Sequence, residues 1–370
     1  MKKITKTLLL LLLAVSLFPP ININAARTDL MLNQVEKVAQ VTGEDIDEST
    51  LINPNDTAGR FNVHATDLGV MWDATTDSDD PKIMIAFGDT YDGGWGGFGG
   101  GGALSGWRSN VLGVSRDQDL SDGLYIDSMI MDSEKENYAK EIIYSAKETH
   151  GYGDFTAIPT AGVTIGDRHF IHYMQVKRWG DPGQWDTNFS ALVYSDDEGE
   201  TWQPSDVEWA GDSHFAQVAF LKEEGYVYVF GTPSGRFGSL YLARVPEAEL
   251  LNQDSYRYWD GKDWVVDELD AMPVVDAPVS ELSVLYNAYY DRYLMMYLNE
   301  DKYSVVLRSA TELTGEWSDE VVVVTGQEFP QLYGSYMHPW SMDSESIYFV
   351  MSEWGPYNVF LYRADLSVAE

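Results

Sequence analysis

Two short apolar runs joined by turn-forming residues recur five times along this chain, and a recurrence of that kind limits the fold more than any other sequence feature. The pairs occupy residues 83–87 with 110–115, 170–174 with 189–195, 226–230 with 239–245, 293–298 with 304–309, and 347–351 with 358–363. Each is preceded by a further apolar run, at 68–72, 161–165, 215–221, 282–286 and 337–342. Their enrichment in β-branched and aromatic residues reads as strand. The second strands start 54 to 87 residues apart, which leaves room in each unit for a fourth, outer strand such as 320–324. Four-stranded sheets repeated at this period are propeller blades. The expected fold is all-β: a five-bladed β-propeller.

A ring must close, and residues 37–42, ahead of the first blade, are the candidate outer strand of the last blade, which would cover two sheet edges. Residues 27–34 read equally as a short helix or as no regular structure. The acidic stretch 133–147 has a helical tendency and reads as an insertion within or after the first blade. Ser195, Asp197, Gly199, Thr201 and Trp202 carry the Ser-x-Asp-x-Gly-x-Thr-Trp spacing of an Asp box, like the outer hairpins of sialidase-like propellers. That turn is structural: Asp and Gly satisfy the tight backbone and Trp packs between blades.

Lys2, Lys3 and Lys6 precede an apolar run at 8–18, and Ala25 and Ala26 offer a small-residue cleavage site. This is the pattern of an export signal. The expected division is a signal peptide at 1–25, an N-terminal segment at 26–60 holding the ring-closing strand, and a catalytic propeller at 61–370, in a secreted protein. The apolar run falls short of the roughly 20 residues of a spanning helix, so no membrane anchor is expected. With 0 cysteines the chain is neither a lipoprotein nor disulfide-stapled. Asp and Glu number 59 against 24 Lys and Arg, a formal charge of −35. Such a surface repels polyanions, which sets aside nucleic acid and anionic lipid as partners. A monomer is expected.

In an up-and-down blade the start of the innermost strand and the end of the second strand lie on one face. By that geometry Asp67, Thr160, Gln217, Glu281 and His338 meet Asp89, Lys177 or Arg178, Thr232, Asn299 and Glu353 at one mouth of the ring. Asp67 and Asp89 then sit on adjacent strands roughly 4.8 Å apart, near the roughly 5 to 9.5 Å that glycoside hydrolysis asks of two carboxylates. Glu281 would face them across the funnel. Either aspartate could be the acid; both could instead cap strand ends or hold a structural ion. Trp95, Trp107, Trp179, Trp185 and Trp354 fall on loops of the same face, where they either stack sugar rings or pack the rim. Gly94, Gly96 and Gly99 spell G-x-G-x-x-G without any βαβ context, so they read as a loop over the funnel. His169 and His172, three apart on a strand, point to opposite faces. No zinc motif or G-x-S-x-G elbow occurs. No cofactor is required; a structural calcium stays open, because oxygen ligands leave no sharp spacing.

The strings Ala65-Thr66-Asp67-Leu68-Gly69, Phe87-Gly88-Asp89-Thr90, Gly106-Trp107-Arg108-Ser109-Asn110-Val111-Leu112 and Ile158-Pro159-Thr160-Ala161-Gly162 are distinctive. So are the run from Phe230 through Arg236 to Gly238, Glu281-Leu282-Ser283-Val284, and Ser352-Glu353-Trp354-Gly355-Pro356-Tyr357-Asn358. Together they resemble the family catalogued as unknown-function domain 4185, which includes the endo-D-arabinanases of glycoside hydrolase family 183. The resemblance runs from about Ala65 to Tyr362. It implies a five-bladed propeller cleaving internal D-arabinofuranosyl bonds of cell-wall arabinan, a neutral polysaccharide, in arabinogalactan or lipoarabinomannan. It also implies Asp67 and Asp89 as the catalytic pair. The expected supporting residues are Glu281, Glu353, His338, Gln217, Arg108, Asn110 and Arg236, with Trp95, Trp107 and Trp354 holding substrate. A non-catalytic sugar-binding propeller is the competing expectation. A sialidase is disfavoured, because the chain has few arginines to grip a carboxylate.

Overall fold

A computed structural model describes residues 30–44 and 51–369. Five antiparallel sheets stand in a ring, each running outward from an inner strand. Blade one is Leu68–Asp73, Ile83–Phe87, Val111–Ser115 and the short Ser128–Met129. Blade two is built of longer strands, Thr156–Ile165, Arg168–Trp179, Trp185–Ser195 and Gln203–Ala210. Blade three opens with Gln217–Glu223, Tyr226–Thr232 and Gly238–Pro246, and adds Arg257–Trp259 and Trp264–Val265. Blade four is Leu282–Asn287, Arg292–Asn299, Ser304–Ala310 and Val321–Thr325. Blade five holds Leu332–Met337, Ser346–Glu353 and Asn358–Val368.

The N-terminal strand closes the ring: Leu30–Gln40 pairs antiparallel with Asn358–Val368 as the outer strand of blade five. It begins earlier than residues 37–42, and residues 30–34 are strand rather than helix or irregular chain. Pairing of its amides with the free edge of the last strand overrides the weak local pattern. The expected export signal lies outside the described residues.

Stacked blades bury their faces against one another, and glycines set the closest approaches. A Cβ on Gly162 would lie 2.1 Å from the Trp72 ring, so the glycine lets blade two lean on the blade-one indole. The Asp-box turn works similarly: Asp197 accepts from the Thr201 amide and hydroxyl, and the Trp202 indole donates to the Gly199 carbonyl. Gly199, at φ +85°, lies against Leu112 and Met84 of blade one.

Two readings need correction. The inner strand of blade five is Leu332–Met337, not 337–342; Pro339 lacks an amide for the ladder, and Pro339–Ser341 is a 3₁₀ turn capped by His338. Residues 133–147 form no helix. They wrap along blade one as turns and irregular chain, where Ala139 donates to Phe61 and the Ile142 and Ile143 amides donate to the Asn110 side chain.

Candidate active site

The inner strands converge on a cavity of about 780 Å³ at one mouth of the ring, lined by residues of all five blades. Its floor is built where blade one breaks pattern. Ala65 bridges Tyr91 and Leu68 pairs with Phe87, so two residues on one side face three on the other. This bulge places Asp67 opposite Gly88 and Asp89 and turns both carboxylates into the cavity. The hydroxyls of Thr66 and Thr90, 2.7 Å apart, pin the flanking register. Leu68 takes φ +67° and Gly69 φ +92°; for a leucine that conformation stores about 1–3 kcal/mol of strain. The Leu68 amide is held by the Ser352 hydroxyl at 2.8 Å.

Asp67 is buried, and its Oδ2 accepts from the phenols of Tyr333 at 2.9 Å and Tyr357 at 3.0 Å. Its Oδ1 is buried with no partner. Gly88 leaves room for that oxygen, since a Cβ there would stand 2.3 Å from it. Burial, then the Asp89 charge, push the Asp67 carboxyl up to about 7 against the two tyrosine hydrogen bonds. Asp89 differs: its Oδ1 accepts from Thr156 Oγ1 at 2.6 Å and Trp107 Nε1 at 2.7 Å. Burial raises it to about 6, while those two donors and the Lys147 charge hold it lower.

Across the cavity the Arg236 guanidinium grips Glu281 through Nε and Nη2, at 2.9 to 3.1 Å, and reaches Glu300 at 3.4 Å. Its carbon lies 5.0 Å over the Tyr333 ring. Burial opposes that charge, but Glu281 and Glu300 more than offset it, so the guanidinium stays protonated. Among the described residues that line the cavity, Arg236 is the single cation, against Asp67, Asp89, Asp181, Glu281 and Glu300. Gln217 also lines the cavity; its Nε2 donates to the Gly235 carbonyl at 2.8 Å and its Oε1 is unpartnered.

The structure brings Asp67, Asp89, Glu281, Gln217, Arg236, Trp107 and Trp354 together at this cavity, with Trp179 and Trp185 on its blade-two side. Other expected residues fall elsewhere. His338 follows the end of its strand, away from the mouth, and caps the turn at Trp340. Glu353 points outward to Lys37 at 2.5 Å and Tyr362 at 2.8 Å, because side chains alternate along the strand that carries it. Arg108 donates to the carbonyls of Ala139 and Asn62, and Asn110 ties Ile142, Ile143 and Ala157; both are buried fasteners of blade one. Trp95 donates to the Gly99 carbonyl and packs on Ala65, Tyr91 and Tyr357 outside the cavity lining. Trp107 spends its indole N–H on Asp89 rather than leaving it to a ligand. His169 and His172 lie buried on Thr164 and Thr160. Among the described residues no three His, Cys, Asp or Glu side chains are grouped to hold a metal ion.

Sequence reasoning missed Tyr333, Tyr357, Thr156, Glu300 and Lys147. Tyr357 sits four residues past Glu353, in a string already singled out. Tyr333 was hidden by the misplaced start of its strand.

A five-bladed propeller with two buried, hydrogen-bonded aspartates at the floor of an acidic, aromatic-walled funnel is the class that fold and site define. The chain belongs to the family described as "Domain of unknown function (DUF4185)", whose model matches residues 53–363. Among curated proteins it is 28% identical over 313 residues to the notoamide biosynthesis cluster protein J of Aspergillus sp. (strain MF297-2), covering 80% of this chain and 81% of that one. The corresponding protein J′ of Aspergillus versicolor is 27% identical over 331 residues, covering 85% and 87%. Both names state a gene cluster and no reaction. Among solved structures, a candidate hydrolase of Bacteroides ovatus ATCC 8483 superposes with a TM-score of 0.57 at 13% identity, covering 82% of this chain and 86% of that one. That likeness is one of fold.

Proposed function

We propose that this protein is a secreted glycoside hydrolase that cuts internal D-arabinofuranosyl linkages of cell-wall arabinan, with Asp67 and Asp89 as its acid–base pair. One observation carries the reading: two buried carboxylates on adjacent strands, with unequal hydrogen-bond environments, at the floor of a cavity walled by Trp107, Trp179, Trp185 and Trp354. Unequal environments split the proton affinities of a carboxylate pair, so one stays protonated while the other ionises. Burial raises both, Asp67 further than Asp89. In the reaction the protonated aspartate gives its proton to the leaving glycosidic oxygen. The other either takes a proton from the water attacking the anomeric carbon or attacks that carbon itself.

A neutral substrate fits the walls. Arg236 is already shared between Glu281 and Glu300, so an incoming carboxylate or sulfate would meet five acids and a cation that is spent. That weighs against sialic acid and uronides. Aromatic faces suit the apolar faces of sugar rings. Export fits an extracellular polymer, action as a monomer fits a funnel complete within one chain, and a bound calcium would be structural.

The direct test is incubation of the mature protein with arabinogalactan and lipoarabinomannan, followed by chromatography of released oligosaccharides. Oligosaccharides of several lengths, absent with Asp67→Asn, are expected. Binding without release would support a sugar-binding propeller instead.

A further inference from the structure

We infer that Tyr333 and Tyr357 are positioning residues that saturate Asp67 Oδ2 with two hydroxyls, so that the acidic proton of the pair rides on Asp67 Oδ1 and Asp67 is the general acid. The inference deepens the hydrolase reading and rests on it for the reaction, though not for the clamp. Both phenols reach the same oxygen, at 2.9 and 3.0 Å. Burial and the neighbouring acids keep both phenols protonated, so each O–H donates. When Asp67 holds a proton, the oxygen that already accepts two O–H bonds is its carbonyl oxygen, and the proton sits on the other oxygen. The other oxygen, Oδ1, has no partner although it is buried, and Gly88 leaves it room. An unsatisfied buried polar atom at a cavity floor is costly unless a ligand completes it. The glycosidic oxygen is the acceptor that would do so.

The clamp also serves the second half of the step. When Oδ1–H passes its proton to the glycosidic oxygen, the C–O electron pair leaves with that oxygen as an alcohol, and Asp67 becomes a carboxylate. Its new charge falls on an oxygen already facing two O–H donors, which need not reorganise. The anomeric carbon gains the oxygen of a water: either directly, as Asp89 accepts that water's proton, or through an ester to Asp89 that the water then opens while the Asp67 carboxylate takes its proton back. The charged and titratable groups that face Asp67 are Asp89 on the adjacent strand, Tyr91, Glu281 from blade four, Tyr333 and Tyr336 on the inner strand of blade five, Tyr357 beyond it, and Arg236 behind Tyr333. Arg236, stacked on Tyr333, holds that arm of the clamp.

Two measurements test this, and the first needs no substrate. Carboxyl-¹³C titration of aspartate-labelled protein, with the Asp67 signal assigned through Asp67→Asn, compares wild type with Tyr333→Phe, Tyr357→Phe and the double variant. A hydroxyl donated to the carboxylate favours the charged form, so its removal raises the proton affinity. Asp67 is expected to titrate about one pH unit higher per hydroxyl lost, with Asp89 nearly unmoved and the thermal transition retained. An unchanged or lowered Asp67 midpoint in folded variants overturns the clamp. The second is the pH profile of kcat/KM on a substrate the wild type cleaves. A general acid must be protonated, so the alkaline limb is expected to move up in both single variants while KM changes little. A moved acid limb with a fixed alkaline limb would make Asp67 the base and overturn the assignment. If no glycan is cleaved by wild type, the hydrolase reading fails while the titration still decides the clamp.

Discussion

Gly88 decides where the Asp67 carboxylate lies, because a Cβ there would stand 2.3 Å from Oδ1. Gly88→Ala is expected to push Asp67 off its tyrosines and lower kcat by about tenfold or more, the order of a misplaced acid, with KM nearly unchanged. Steady-state kinetics would show it; unaltered kcat would mean that Oδ1 is free to move. Asp67→Asn and Asp89→Asn should each lower turnover by about a hundredfold or more in folded protein. They should also change stability in a pH-dependent way. Unfolded, each group has the ordinary aspartate value of 3.8; folded, burial pushes them up to about 7 and about 6. Between those limits the native state binds more protons than the unfolded one, so stability falls as pH rises through the window from about 4 to 7. Asparagine escapes that penalty. Calorimetry at pH 4 and pH 7.5 should therefore find the variants gaining on wild type at the higher pH, by on the order of 2 °C or more. An equal difference at both pH values would show that the pair is not desolvated. The two aspartates were legible in the sequence because strand alternation and blade direction alone bring adjacent strand ends together. Tyr333 was not: residues 332–342 mix Leu, Tyr, Met and Trp with Gly334, Ser335, His338 and Ser341 throughout, and so mixed a pattern does not say where a strand begins. Pro339 was the overlooked stop signal.

Residues 133–147 show how an element can be misread from composition. Acidic residues and a few apolar ones suggested a helix, but Ile142 and Ile143 are adjacent, and both are buried while their amides donate to Asn110. The amides that a helix would pair within itself go instead to Asn110, Phe61 and Ile130. The segment ends at Lys147, which pairs with Glu141, donates to Ser109 Oγ at 3.1 Å and lies 5.1 Å over the Trp107 ring. Trp107 in turn donates to Asp89. What looked like an insertion is thus a strap that places a positive charge behind the second catalytic candidate, an arrangement that no local motif announces. The Lys147 charge lowers the proton affinity of Asp89. Lys147→Met should raise it. A base must be ionised to act, so the acid limb of the kcat/KM profile should move to higher pH, with the alkaline limb unmoved. The opposite displacement, or none in a folded variant, would remove the strap from the site. Sequence placed the second and third strands of all five blades because each pair repeats a local pattern, whereas the strap and the ring-closing strand take their form from tertiary partners.

Across the whole molecule, the ring sets aromatic residues from different blades around one opening. Trp179 and Trp185 of blade two pack edge to face, with centroids 5.7 Å apart, on one side of the cavity. Trp354 stands on the blade-five side, 44% exposed, its ring edge-on to Tyr357 at 5.3 Å. The glycine-rich loop packs beneath it: a Cβ on Gly99 would lie 2.9 Å from the Trp354 indole nitrogen. Thus the loop with the G-x-G-x-x-G string supports an aromatic platform through Gly99 and Gly100, whereas a Cβ on Gly96 would meet nothing within 4 Å. An enzyme that cuts inside a polymer must hold sugars on both sides of the scissile bond, and binding energy from remote sugars can be spent on the reacting one. Trp354 adjoins Tyr357, which holds Asp67, so a sugar stacked there lies next to the reacting ring or one residue beyond it. Trp354→Ala should lower kcat/KM on long arabinan fragments by about tenfold and on the shortest cleavable fragment by much less, because only the long chain reaches the platform. Its half-exposed position predicts little loss of thermal stability, which calorimetry checks on the same preparation. Turnover against fragments of increasing length separates the outcomes. A penalty that grows with length and then levels off counts the sugars between Trp354 and the cut. Equal loss at every length would mean that the indole only shapes Tyr357 and the Asp67 clamp.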